Sequence, residues 1–140
     1  MAARFRGGCA CGSVTYTAHS DPIIMLNCHC RDCQRATGSA YAPFVVVPKG
    51  AVHIEGEVTF YGQKGDNGYL TERGFCSGCG SPIVVKLARL PDILGIMAAS
   101  LDDPTMYAPS TDIFAGSAQP WDHMAPDTRK FAQELVREGG

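Results

Sequence analysis

The sequence lacks the features that mark membrane, secreted and nucleic-acid-binding proteins. No apolar run approaches about 18 residues, so no membrane-spanning helix is expected, and residues 1–8 contain no apolar signal segment. The formal net charge is −2, which gives no excess positive charge to attract nucleic acid or an anionic membrane. We therefore expect a cytoplasmic protein with no nucleic-acid or membrane partner, and we leave open whether it forms a homo-oligomer.

Sequence motifs of several common enzyme classes are also missing. The chain contains no P-loop, no G-x-G-x-x-G, no H-E-x-x-H and no G-x-S-x-G, which removes support for nucleotide-binding, zinc-protease and serine-hydrolase functions. Hydrophobic residues make up 45% and charged residues 19% of the chain, and these proportions are typical of a folded globular protein.

Short strands separated by glycine and proline dominate the predicted secondary structure. Polar and apolar residues alternate at 14–17, 52–55 and 58–61, and further strands are expected at 23–26, 44–47, 69–75, 83–87 and 93–98. Only residues 32–36 and 127–137 fit helices, and the 140 residues suit one domain spanning 1–140. We expect a mainly β fold, an antiparallel sandwich or small barrel-like sheet stapled by metal, with a short C-terminal helix.

Seven cysteines in 140 residues are the most distinctive feature of the composition. An odd number cannot pair completely in disulfides, and in a reducing cytosol clustered cysteines more often bind metal. Metal binding is therefore favoured over a disulfide framework. The cysteines form three groups, Cys9-x-Cys11, Cys28-x-Cys30-x-x-Cys33 and Cys76-x-x-Cys79.

The pair Cys76-x-x-Cys79 resembles a zinc knuckle, in which two intervening residues allow both sulfurs to face one metal. A structural zinc takes four ligands, and Cys9 with Cys11 is the natural second pair because it too is flanked by glycines. Such a site would close a long loop of the chain, and a bound metal stabilises the folded state most when the loop it closes is long. In the alternative partition, the remaining three cysteines take one of these four as their own fourth ligand, which leaves one pair broken.

Cys28, Cys30 and Cys33 remain, and three protein ligands with an open fourth position form the pattern of a catalytic zinc. The alternative is a second structural zinc, completed by one of the histidines at positions 19, 53 and 123. His29 lies between two ligands, so its side chain should point away from the metal. Because this zinc has one ligand fewer, we expect it to be the labile one and its cysteines to be more open to solvent and oxidant.

A three-thiolate zinc has weakened Lewis acidity, so activation of water is less expected than at a three-histidine site. Soft thiolate ligands favour a soft fourth ligand, and a substrate thiolate is the obvious one. Arg31 and Arg35 can balance the resulting negative charge, with Lys49 as a weaker candidate. The alternative is that both arginines are solvated surface residues.

A second zinc pattern competes for some of the same residues. The H-x-E sequence at His53 and Glu55, followed by C-x-x-C at Cys76 and Cys79, resembles the motif of zinc deaminases. Phe75 stands where the deaminase proline is expected, His53 lies in a strand-like segment, and five cysteines would be left unexplained. We therefore do not favour a deaminase.

Together, the cysteine motifs resemble those of the glutathione-dependent formaldehyde-activating enzyme family, which includes the centromere protein V-like proteins. The resemblance runs from about residue 7 to residue 121 and rests on GCACGSVTY at 8–16, CHCRDCQRATG at 28–38 and FCSGCG at 75–80. It implies a β-rich, tent-like fold with two zinc ions. It implies a structural zinc on Cys9, Cys11, Cys76 and Cys79 and a catalytic zinc on Cys28, Cys30 and Cys33.

The resemblance also implies a carbon–sulfur lyase activity, in which formaldehyde is joined to glutathione or the S-hydroxymethyl adduct is cleaved. Family members often have a histidine before an Ile-Phe or Ile-Trp pair, whereas Asp112 precedes Ile113 and Phe114 here, so a contact in the substrate pocket is expected to differ. The alternatives are a non-catalytic zinc-binding module that binds a protein partner, and a redox or metal-handling protein that uses the three central cysteines as free thiols.

Overall fold

Strands dominate the computed structural model, which describes residues 3–135. Several strands, such as those at 44–47 and 83–85, are rich in β-branched or aromatic residues, as β propensity predicts. The described part contains one α-helix, α1 (Arg31–Thr37), and four short 3-10 turns. Its strands are β1 (Phe5–Gly8), β2 (Thr15–Ala18), β3 (Ile24–Cys28), β4 (Ala42–Pro48), β5 (Val52–Glu55), β6 (Val58–Lys64), β7 (Leu70–Cys76), β8 (Pro82–Leu87), β9 (Ile93–Met97), β10 (Thr111–Ile113) and β11 (Arg129–Lys130).

The strands form two open sheets, so the predicted mainly β fold is confirmed. One sheet has the order β1-β2-β5 and the other the order β11-β10-β3-β4-β9-β8-β7-β6. Most neighbouring strands are antiparallel, as predicted, but at one edge β10 runs parallel to both β3 and β11. Parallel strands need a long connection. Residues 114–128 connect β10 to β11, and the elements from α1 to β9 lie between β3 and β10 in the chain.

Successive residues of the central strands alternate between two apolar clusters, one on each face of the eight-stranded sheet. Val45 and Val47 of β4 face one cluster, and Phe44 and Val46 face the other. We call the first the sheet face, because the three-stranded sheet covers it. We call the second the helix face, because the segment from β3 to α1 packs there. On the helix face, two buried cysteine side chains join the apolar cluster, those of Cys28 and Cys33.

The predicted helix at residues 32–36 is confirmed and runs slightly further at both ends. Cys30 caps its N-terminus, since the Cys30 sulfur accepts a hydrogen bond from the backbone N–H of Cys33 at 3.2 Å. Gly38 ends the helix in the left-handed conformation, at φ 66°, where glycine pays no Cβ penalty. None of the helices described between residues 3 and 135 has the length and apolar character needed to cross a membrane.

The predicted C-terminal helix is wrong over residues 127–135, and residues 136 and 137 lie outside the described part. Residues 129 and 130 form β11 against β10, and turns and bends flank them. The backbone N–H of Phe131 donates to the carbonyl of Asp112 at 2.9 Å, and Phe114 N–H donates to Gln133 at 2.7 Å. Backbone hydrogen bonds to the edge of β10 therefore stabilise this segment more than a helix with its weak apolar pattern would.

Candidate metal centres

The structure brings Cys9, Cys11, Cys76 and Cys79 together, with all four sulfurs within 4.8 Å of one another. The sulfur of Cys11 lies 3.6 Å from that of Cys9 and 3.7 Å from that of Cys76. Zinc–sulfur bonds of about 2.3 Å in a tetrahedron separate the sulfurs by about 3.8 Å. The four-cysteine cluster therefore has the dimensions of a closed zinc site.

Hydrogen bonds around this cluster lower the pKa of two of its thiols, those of Cys9 and Cys79. The backbone N–H groups of Cys79 and Gly78 also point to the Cys76 sulfur, at 3.5 and 3.3 Å, but desolvation and the neighbouring Cys9 and Cys79 thiols raise the pKa of Cys76 overall. The hydroxyl and the backbone N–H of Ser81 lower the pKa of Cys79 to about 5. The backbone N–H of Val14, 3.2 Å from the Cys9 sulfur, lowers the pKa of that thiol.

Cys28, Cys30 and Cys33 form the second cluster, with their three sulfurs also within 4.8 Å of one another. The first lies at the end of β3, the second caps α1, and the third follows one turn later. All seven cysteines are free thiols rather than disulfides. Two cysteine clusters that can each hold a metal ion are thus present, and their sulfur donors suit zinc.

The three-cysteine cluster is the more buried of the two, so the expectation that its thiols would be the more open is wrong. Cys28 and Cys33 are 5% and 4% exposed, whereas Cys11 and Cys79 of the other cluster are exposed. The reason is that β3 and α1 pack against the apolar cluster of the helix face, while the four-cysteine cluster joins two surface turns.

The protonation states of the three central thiols depend on one another. Hydrogen bonds from Cys28 and Cys33 lower the pKa of Cys30 to about 2. The same bonds, together with burial, raise the pKa of Cys28. Three buried thiolates this close would repel strongly, so they need a cation to balance them. A soft divalent cation fits that requirement, and zinc is the commonest one with this donor set.

Arg73 is a residue near this cluster that the sequence patterns did not identify. Its Nη2 lies 3.6 Å from the Cys33 sulfur, and its charge acts to lower the pKa of both Cys30 and Cys33. Arg73 pairs in register with Val85 of the helix face. One signal in the sequence could have indicated the face on which Arg73 lies. Because successive residues of a strand point to opposite faces of the sheet, Arg73 lies on the opposite face from Gly74.

His29 points away from the sulfurs, as its position between two ligands predicts, and is fully buried. Its Nε2 lies 2.6 Å from Asp112 Oδ1 and its Nδ1 lies 2.5 Å from Asp122 Oδ2. Burial would raise the pKa of Asp112, but hydrogen bonds from His29, Thr128 and Asn27 lower it overall. Asp112, which stands where the sequence comparison expected a histidine, therefore helps to hold the segment that carries Cys28, Cys30 and Cys33 in place.

The predicted basic residues lie at different distances from the cluster. Arg31 and Arg35 are exposed on α1, and Arg31 Nη1 contacts a side-chain amide of the same helix at 2.5 Å. Cys28 pairs with Ala42 at the start of β4, whereas Lys49 follows the other end of that strand. A strand of that length separates Lys49 from the cluster by more than about 20 Å, so the prediction of a role for Lys49 is wrong.

No histidine or carboxylate within residues 3–135 adds a ligand atom to either cysteine cluster. The histidines at 19, 53 and 123 therefore do not complete the three-cysteine cluster. His53 and Glu55 are exposed on β5 and contact each other at 3.3 Å, while Cys76 and Cys79 pair with the N-terminal cysteines. The zinc-deaminase arrangement is not formed.

Comparisons with known proteins agree with the cysteine pattern. A family model described as glutathione-dependent formaldehyde-activating enzyme matches residues 4–117. A crystal structure of a Rhodobacter sphaeroides protein is similar with a TM-score of 0.56 and 22% sequence identity, covering 69% of this chain and 87% of that chain. At this identity the likeness concerns the fold alone. A search of curated proteins finds no match.

Proposed function

Because the chain belongs to the glutathione-dependent formaldehyde-activating enzyme family, we propose that it is a zinc-dependent carbon–sulfur lyase. Its proposed substrate is an adduct of glutathione or a similar thiol, such as S-hydroxymethylglutathione. The observation that supports this most is the convergence of three sulfurs, to which the described residues add no fourth ligand atom. That donor set leaves a coordination position for a substrate sulfur.

We propose two zinc ions per chain with different tasks. The first is structural, because four sulfurs from two distant segments surround it. The second is catalytic and more labile, because it has three sulfur ligands. The ligand sets are Cys9, Cys11, Cys76 and Cys79 for the first, and Cys28, Cys30 and Cys33 for the second.

A zinc ion on the three-cysteine cluster would supply a Lewis acid that favours the thiolate form of the substrate sulfur at neutral pH. In the condensing direction the substrate sulfur bonds to the formaldehyde carbon, and the thiol proton passes to the carbonyl oxygen. The reverse reaction breaks the same bond, and neither direction needs an oxidant. The chain contributes by positioning, since β3 and α1 hold the three sulfurs on a rigid segment.

The negative charge of such a complex needs compensation. We propose that Arg31 and Arg35 contribute from the exposed side of α1, where each charge is screened by solvent. The thiols must also stay reduced to bind metal, which fits a cytoplasmic location. We propose that one domain, residues 1–140, carries both sites.

Cobalt-substituted protein tests the proposal, since cobalt absorption reports the ligands of the metal. Glutathione should change the spectrum of one of the two sites, and the zinc form should release formaldehyde from S-hydroxymethylglutathione. Cys30→Ser should abolish both effects while the four-cysteine site keeps its metal. A spectrum that no low-molecular-weight thiol changes would contradict the proposal.

A non-catalytic zinc module that binds a protein partner is the second candidate function. The observation that favours it is the exposure of two aromatic side chains, Tyr61 at 62% and Trp121 at 60%, because such residues often anchor protein interfaces. Full zinc occupancy without thiol binding or turnover would favour this function over the lyase.

A further inference from the structure

The three-cysteine cluster has one basic neighbour on the helix face. Within residues 3–135, Arg73 is the only lysine or arginine side chain that contacts one of the three sulfurs, at 3.6 Å from Cys33. Arg31 and Arg35 are exposed on α1, the helix that also carries Cys33. A cation beside a buried sulfur acts through a lower dielectric and is less screened than a surface cation.

Arg73 keeps most of its hydrogen-bonding capacity unused. A guanidinium carries five N–H donors in a planar fork, and the contact with Cys33 uses one nitrogen. The side chain is half-buried on β7 and projects from the helix face between Tyr61 of β6 and Val85 of β8. The planar fork of a guanidinium matches a planar anion such as a carboxylate.

A cleft of about 110 Å³ is lined in part by Arg73. Its walls are mostly apolar, which strengthens a charge-assisted hydrogen bond inside it. Sites that enclose a whole drug-sized ligand are about 300 Å³ or larger, so this cleft accommodates a small fragment of a substrate. The side chains that line it include Thr37, Arg73, Phe75, Pro82, Val85 and Met97.

The cleft and the sulfur cluster are physically connected. The hydroxyl of Thr37, at the end of α1, donates to the carbonyl of Cys33 at 2.8 Å. Val85 and Met97 of the cleft also belong to the apolar cluster that contains Cys33. A ligand whose sulfur meets the three cysteines therefore has Arg73 and the cleft within reach of its neighbouring atoms.

We infer that Arg73 and this cleft form a carboxylate subsite, so that the centre selects thiols that also carry a carboxylate. The inference rests on the proposed function, because it assigns a second contact to the substrate thiol. Glutathione belongs to this class through its carboxylates, and so do smaller mercapto acids. Arg73 is then a specificity-determining residue that binds the substrate's anion.

Two small thiols that differ mainly in charge test the subsite on the cobalt-substituted protein. Mercaptoacetate carries the carboxylate, and 2-mercaptoethanol has a neutral hydroxyl instead. Arg73→Met should weaken mercaptoacetate binding about tenfold or more, as expected for a lost charge-assisted hydrogen bond, and 2-mercaptoethanol binding much less. Arg73→Lys keeps the charge without the planar fork and should recover part of the preference.

Arg6→Met is the matched control, since Arg6 is exposed on β1 of the three-stranded sheet, across the eight-stranded sheet from the cluster. It should leave the affinities for both thiols unchanged. Circular dichroism verifies that each variant is folded, and Arg73→Gln replaces Arg73→Met if the methionine variant does not fold.

An equal loss for both thiols, or no loss for either, would overturn the subsite while leaving the proposed function standing. If the unmodified protein binds neither thiol, the proposed function fails and the subsite with it.

Discussion

Each ring nitrogen of His29 meets a buried carboxylate, and this arrangement lies between two of the cysteines proposed to hold zinc. The backbone N–H of His29 also donates to Ile113 at 3.0 Å. Side chain and backbone together fix the cysteine segment to β10 and the chain beyond it.

Tyr16 is a single residue whose ionisation should be visible in the stability of the protein. It is 2% exposed, its hydroxyl lies 2.7 Å from that of Ser100, and burial raises its pKa to about 12 from an ordinary value of 10.0. A raised folded-state pKa contributes stability that is complete below pH 10 and is lost as the pH rises towards 12.

We predict that Tyr16→Phe is about 1 kcal/mol less stable than the unmodified protein at pH 8, because it lacks one hydrogen bond. Above pH 10 that difference should shrink by about 1.4 kcal/mol per pH unit, since only the tyrosine form loses stability there. Urea unfolding of both proteins at pH 8 and pH 11 measures the effect. A difference that stays constant between the two pH values would contradict it.

At the scale of elements, β7 contributes a side chain next to each of the two cysteine clusters. Its residues alternate between the faces, so that Arg73 reaches the three-cysteine cluster while Cys76 belongs to the four-cysteine cluster. Gly74 lies between them, where the register with β8 shifts. A Cβ on Gly74 would lie 2.7 Å from Phe60 and 2.9 Å from Val58, closer than side chains normally pack.

Gly74→Ala should therefore destabilise the protein by about 1–3 kcal/mol through overpacking on the sheet face. Gly50→Ala is the matched control, because a Cβ at Gly50 meets no atom within 4 Å, and its effect should stay within about 0.5 kcal/mol. Thermal or urea unfolding of both variants is the measurement. Similar stability of the two variants would show that β7 and its neighbours relax around the added methyl group.

At the scale of the whole molecule, the four-cysteine cluster connects distant parts of the fold. It joins the turn between β1 and β2 of the small sheet to the turn between β7 and β8 of the large sheet, across 65 residues from Cys11 to Cys76. The three-cysteine cluster, by contrast, comes from six consecutive residues. A metal bound to the first cluster would therefore restrict the unfolded chain far more than a metal bound to the second.

We predict that Cys79→Ser lowers the melting temperature much more than Cys33→Ser does. The first variant breaks the connection between the sheets, whereas the second leaves that connection intact and removes only a local ligand. Calorimetry combined with metal analysis should find one zinc per chain in the folded Cys33→Ser protein. Equal losses of thermal stability in the two variants would contradict the division into structural and catalytic sites.

Metal removal should follow the same division. At equilibrium with a competing chelator, one zinc equivalent should leave before the circular dichroism changes, because three thiolates bind less strongly than four. The burial of Cys28 and Cys33 should slow that step without altering its order. Loss of both metals in a single step together with the secondary structure would mean that both sites are structural.

The amino-acid sequence alone determined the β class, the strand at 44–47 and the division of seven cysteines into four and three. Local patterns carry this information, because strand alternation and C-x-x-C spacing involve residues only a few positions apart. Only the tertiary structure placed Arg73 at Cys33, 40 residues away, and Asp112 and Asp122 at His29, 83 and 93 residues away. The same holds for β11, which forms because the edge of β10 supplies hydrogen-bond partners that no short segment of sequence reveals.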